Sequence, residues 1–171
     1  IYDITDRSNP LLVKTIASDG WYFTSRMIGD YIYVIIDSPA YIYQGNITLP
    51  IVIKDDVVEC VQATDIYYMN VTDYSYGFTT VFAINVNNEG IEPTHETFLV
   101  GVSSATYASV NNIYLAIPNY DYKTDTETTN VVRVHVLGSQ ITSAAAGQLP
   151  GQVLNQYSIV EYDGYFRIAT T

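Results

Sequence analysis

Few residues in this chain have the type and spacing that chemistry requires. His95 and His135 are its two histidines, and neither sits in HExxH or at another metal-ligand spacing. His95 lies in the polar stretch EPTHE and His135 within an apolar run, so a structural role is the reading for each. A Ser/His/Asp triad has no nucleophile-elbow motif behind it. The lone Cys60 excludes an internal disulfide and any CxxC redox or metal motif. A buried thiol is expected there, because free cysteine packs as a small hydrophobe; the other reading is a partner outside the chain. No catalytic residue, metal ligand or cofactor is assigned.

Acidic residues cluster in KDDVVE (54–59) and NYDYKTDTE (119–127), and hard carboxylate oxygens of this kind suit calcium. Neither stretch has the spacing and central glycine of an EF-hand loop, so each reads as a solvated loop. Tyrosine is the other resource: Tyr67, Tyr68, Tyr74, Tyr76, Tyr120 and Tyr122 all lie in connecting segments. Exposed tyrosine contributes contact area at low entropic cost, which makes these six the candidate binding residues for a glycan, peptide or neighbouring protein. The other reading is that the rings pack a long loop onto the core. Asn46-Ile47-Thr48 and Asn70-Val71-Thr72 are glycosylation sequons, and in a secreted protein they mark an exposed segment. Strand alternation puts Trp21 and Arg26 on opposite faces. Arg26 is expected to bridge blades or to point towards a channel, with a structural ion pair as its favoured role.

Composition limits the scaffold that must position these groups. With 171 residues, 48% hydrophobic and 15% charged, the chain is long enough for a core and too apolar for disorder. Seven Lys+Arg against eighteen Asp+Glu give a net charge of -11, which repels phosphate backbones and anionic membrane surfaces. Nucleic acid is therefore not an expected partner, and no window approaches the roughly 18 apolar residues that span a bilayer. The chain shows no initiator Met and no signal-peptide pattern, so any such segment lies outside it.

Three segments answer one another: SRMIGDYIYVI (25–35), YASVNNIYLAI (107–117) and YSIVEYDGYFRIA (157–169). Each reads as strand, turn and aromatic-rich strand, with turns at Gly29-Asp30, Asn111-Asn112 and Asp163-Gly164. A glycine precedes each, Gly20, Gly101 or Gly151, and before it lie two further strand-like runs. The period is roughly 50 residues once the long connection 37–79 is set aside, and four short strands in such a repeat mark a blade of a β-propeller. The expectation is an all-β fragment of about three blades with four antiparallel strands each. Residues 1–19 end one blade, 20–100 form a blade with the long loop 37–79, 101–150 form another and 151–171 begin a third. Inner strands are expected at 21–28, 102–110 and 153–160, and second strands at 31–36, 113–117 and 165–169. Third and outer strands are expected at 80–86, 96–100, 131–136 and 141–147. Both ends fall inside blades, which leaves open sheet edges and invites edge-to-edge self-association.

DIYYMNVTDYSYGFTTVFAINV (65–86), SRMIGDYIYVI and NQYSIVEYDGYFRIATT (155–171) resemble a family of secreted prokaryotic, largely archaeal proteins. That family carries a C-terminal β-propeller distantly related to WD40 repeats, and the resemblance covers essentially the whole chain. It implies a fold and a secreted or cell-surface setting, not a reaction. The expected function is an extracytoplasmic binding or structural module whose partner is a protein or glycan of the cell envelope. The alternatives are a propeller-type hydrolase, with glycans as a candidate substrate, and a scaffold for a catalytic domain outside these residues.

Overall fold

The computed structural model describes residues 1–69 and 76–171. Short β1 (Tyr2–Asp3) and β2 (Leu11–Leu12) pair with each other, and β3 (Ile16–Ser18) leads to β4 (Trp21–Ile28) and β5 (Tyr31–Pro39). Two small hairpins follow, β6 (Ile42–Tyr43) with β7 (Asn46–Ile47) and β8 (Ile51–Lys54) with β9 (Val57–Cys60). A 3-10 turn at Ala63–Asp65 precedes β10 (Ile66–Tyr68). Then come β11 (Gly77–Asn85), β12 (Thr94–Leu99), β13 (Ala105–Ala108), β14 (Asn112–Asp121), β15 (Thr126–Leu137) and β16 (Gln140–Pro150). A second 3-10 turn at Gln156–Ser158 introduces β17 (Ile159–Tyr162) and β18 (Tyr165–Ile168).

The expected four-strand antiparallel unit appears twice. One sheet runs β4-β5-β11-β12, to which β10 adds a fifth, parallel strand, and the next runs β13-β14-β15-β16 as a plain meander. The hairpin β17-β18 follows it. Between the two large sheets lies the main core, in which Tyr33, Ile35, Val81 and Phe98 of the first meet Ile113, Leu115, Val132 and Val134 of the second. Alternation along β5 sends Tyr33 and Ile35 into this core. Ile32, Val34 and Ile36 point the other way, against Val52 and Val61 of the long connection and Ile16 of β3. The described stretch 40–69 of this connection is thus part of a core, not a loose loop, and its hairpin strand β8 pairs with β3.

Where the chain leaves each large sheet it makes a repeated latch. Gly101 donates its N–H to the Gly77 carbonyl at 3.1 Å, and its own carbonyl accepts from the Thr79 hydroxyl at 3.2 Å. Gly151 repeats both bonds with the Glu127 carbonyl at 2.8 Å and the Thr129 hydroxyl at 2.8 Å. The first sheet adds a carboxylate to its latch. Asp37 is fully buried opposite Thr79 and accepts from the Thr79 hydroxyl at 2.6 Å. Its other oxygen, Oδ2, has no partner. Burial raises the Asp37 carboxyl to about 6, against the lowering influence of Thr79 and Ser103. At the matching position of the second sheet Pro118 faces Thr129, so the acid is not part of the repeat.

Several sequence expectations are corrected. The third repeat does not extend from 153 to 160: Asn155 Oδ1 accepts from the Tyr157 N–H at 2.9 Å, turning the chain into the 3-10 turn, and β17 starts at Ile159. The second hairpin turn lies at Val110-Asn111, because Ser109 and Asn112 pair across its base. A β-bulge between Tyr22 and Thr24 leaves Phe23 unpaired against β5. Trp21 then pairs with Asp37 and Arg26 with Tyr33, both on one side of β5, so Trp21 and Arg26 share a face. Cys60 is exposed at the end of β9, not buried.

Two measurements test this account. Gly20 sits at φ +106, where a Cβ would come within 2.3 Å of the Asp37 carbonyl oxygen, whereas Gly45 at φ +81 has open space. In urea melts Gly20→Ala should cost about 2 kcal/mol or more, and Gly45→Ala only about 1. For Asp37 the folded chain holds its proton to about pH 6, while an ordinary aspartate releases it near 3.8. Its contribution is therefore complete below that lower value and is lost as pH rises through 6. Asp37→Asn should remove this falling limb, and at pH 7 it should exceed the parent's stability by up to about 3 kcal/mol. Parallel stability curves for the two proteins between pH 4 and 7 would contradict the assignment.

Candidate functional site

Sheet register gathers the candidate tyrosines at one end of the fold. Pro39 pairs with Gly77, Phe78 with Leu99, and Leu99 with Tyr68, so the end of β5, the start of β11 and the ends of β12 and β10 lie together. In the second sheet Asp121 pairs with Thr126 and Thr128 with Pro150, and the glycine latches join these same ends. This end therefore carries Tyr67, Tyr68 and Tyr76 from the long connection and Tyr120 and Tyr122 from the β14–β15 turn. Tyr68, Tyr76 and Tyr122 are 68%, 62% and 76% exposed.

Three of the candidates touch neighbouring rings. Tyr67 stacks on buried Phe98 with ring centroids 5.5 Å apart. Tyr120 meets Tyr122 edge to face at 4.7 Å, and its hydroxyl donates to the Asp125 carboxylate. Tyr74 and the sequon residue Asn70 lie outside the described residues; Asn46 is exposed on the β6–β7 hairpin. Sequence reasoning missed Tyr41 and Tyr43, which are 66% and 70% exposed. The Ala40 N–H donates to the Tyr76 carbonyl, which ties their segment to the same end. The aromatic run YIY (41–43) inside the long connection was the available signal.

A second surface lies along the first strands of the successive units. Phe23, Thr24 and Arg26 of β4, Ser104, Ala105 and Thr106 at β13, and residues 154–157 line a cavity of 330 Å³. The Arg26 guanidinium donates to the Thr24 hydroxyl and the Ser25 carbonyl, both at 2.8 Å, and to Gln156 Oε1 at 2.5 Å. It thus reaches from the first sheet to the third unit by hydrogen bonds. The expected ion pair is absent among the described residues. Thr106 is 3% exposed and its hydroxyl has no partner.

The remaining polar groups serve as braces. Glu161 of β17 accepts from Ser109 at 2.7 Å, Tyr114 at 2.9 Å and Asn112 at 3.1 Å. Partial burial pushes its carboxyl up, but these donors and the nearby Arg133 charge outweigh that and hold it below the usual glutamate range. Phe166 stacks on Tyr114 at 4.4 Å beside it, so the last hairpin is fixed to the second sheet. His135 contacts Asn112 at 3.4 Å, and His95 packs on Phe82 with its pKa lowered chiefly by burial. In the acidic stretch 119–127, Asp121 accepts from the Lys123 N–H at 2.8 Å. Among the described residues no three His, Cys, Asp or Glu side chains gather into a metal-holding group.

No curated protein and no solved structure matches the chain. A family model described as "Beta propeller domain" matches residues 1–171, the span that holds both four-strand antiparallel units and the latches at their exits. The chain is all-β, and it belongs to the beta propeller domain family.

Proposed function

We propose that this propeller chain is an extracytoplasmic binding module that recognises a glycan or protein of the cell envelope through its tyrosine-bearing end. The observation that carries this reading is the convergence of exposed tyrosines from two separate connections, 40–76 and the β14–β15 turn, at the end where the sheets are latched. Large, stiff, amphipathic rings on a rigid sheet edge suit recognition, because little entropy is lost when a ligand covers them. The extracytoplasmic setting is supported by the family resemblance and by the exposed Asn46 sequon. Among the described residues no helix is long and apolar enough to cross a membrane.

The long connection cannot be tested by deletion, since removing it would uncover Val34, Ile36 and Phe82. Point substitutions leave that core intact. On arrays of glycans and cell-envelope components, Tyr68→Ala, Tyr76→Ala and Tyr122→Ala should each weaken binding about tenfold or more, and Tyr162→Ala, on the β17–β18 hairpin, should not. Binding unchanged in all three would remove this end as the recognition surface.

A further inference from the structure

We propose that the cavity beside Arg26 is a second binding site, which takes an acidic saccharide by its carboxylate. The inference does not rest on the tyrosine-bearing end, from which it shares no residue. Three features carry it.

First, Arg26 is a cation with no carboxylate partner among the described residues, in a chain of net charge -11. Its guanidinium has five N–H donors, of which three have protein acceptors at Thr24, Ser25 and Gln156. Those bonds fix its plane, so the two remaining donors are preorganised for an incoming acceptor. One guanidinium suits a single carboxylate, while the overall negative charge repels a polyphosphate.

Second, the Thr106 hydroxyl is buried without a partner on the cavity wall. Such a group is costly to leave unsatisfied, and its presence points to an acceptor or donor that arrives with the ligand. Thr24 and Gln156, which accept from Arg26, and Ser104, which donates to the Ala116 carbonyl, also line the cavity, and their remaining donor and acceptor capacity suits sugar hydroxyls.

Third, the cavity has flat apolar flanks. Phe23, Leu154 and Tyr157 line it, the last two 76% and 86% exposed. A pyranose ring presents C–H faces to such surfaces and its polar rim to the hydroxyls. The 330 Å³ volume falls at the small end of ligand pockets, roughly 300–1,000 Å³, which suits one sugar residue.

The test is calorimetric titration of the whole chain with D-glucuronate, D-glucose, acetate and the dipeptide Gly-Glu. D-glucuronate should bind, and more weakly as salt rises; D-glucose and acetate should each bind about tenfold more weakly or worse. Arg26→Gln should weaken glucuronate at least tenfold, and Thr106→Val severalfold, while Tyr162→Ala leaves it unchanged. Thermal melts check that each variant folds, and Thr106→Val, which removes one hydroxyl, keeps the test alive if Arg26→Gln does not. No heat with glucuronate, or affinity indifferent to both wall substitutions, would overturn the site. Gly-Glu bound as tightly as glucuronate would overturn the saccharide assignment in favour of an acidic peptide.

Discussion

A backbone glycine at each sheet junction must donate and accept at once, and the rest of the fold depends on that double bond. At Gly101 and Gly151 the N–H and the carbonyl both turn to the third strand of the preceding sheet, where a peptide carbonyl and a threonine hydroxyl await them. The left-handed backbone there, φ 90 at Gly101 and 80 at Gly151, makes this geometry available at low cost only to glycine. Each latch ties the exit of a sheet's fourth strand to its own third strand, so the chain leaves for the next sheet from a fixed point, and the two large sheets bury a continuous apolar layer between them. The tyrosine-bearing end and the Arg26 wall are both consequences of where this joint places its neighbours.

Much of this was legible in the sequence, for definite physical reasons. The glycines stood out through their regular spacing from strand-like runs, and the first inner strand was read as Trp21–Ile28, the bounds found for β4. Gly29-Asp30 and Asp163-Gly164 turn as their residue types require; at the latter both residues have positive φ. What escaped were effects of single side chains on the backbone. Asn155 diverts the third repeat because its carboxamide competes for a neighbouring N–H, and Phe23 bulges because one residue too many lies between two pairings. Composition and period do not record either.

The candidate sites were partly legible for a similar reason. Tyrosines in connecting segments could be named from sequence, but their gathering at one end is a property of strand register, which pairs residues such as Tyr68 and Leu99 that lie far apart in the chain. Arg26 looked like one half of an ion pair; its actual partners are a hydroxyl, a carbonyl and an amide supplied by three positions. The long connection carried sequons and exposed rings and looked like an appendage. In the fold it covers the side of the first sheet turned away from the second, with Val52 fully buried.

The bulge at Phe23 and the 3-10 turn at Gln156–Ser158 fall at equivalent places, just after Gly20 or Gly151 and before the hairpin turn. Irregular backbone is therefore concentrated where the chain borders the Arg26 cavity, and the latch at Gly151 keeps its partners beside it. An insertion or deletion of one residue in that stretch would alter which side chains line the wall without detaching one sheet from the next. For a lineage of such chains, this is the segment in which surface chemistry can change while the architecture is inherited unchanged.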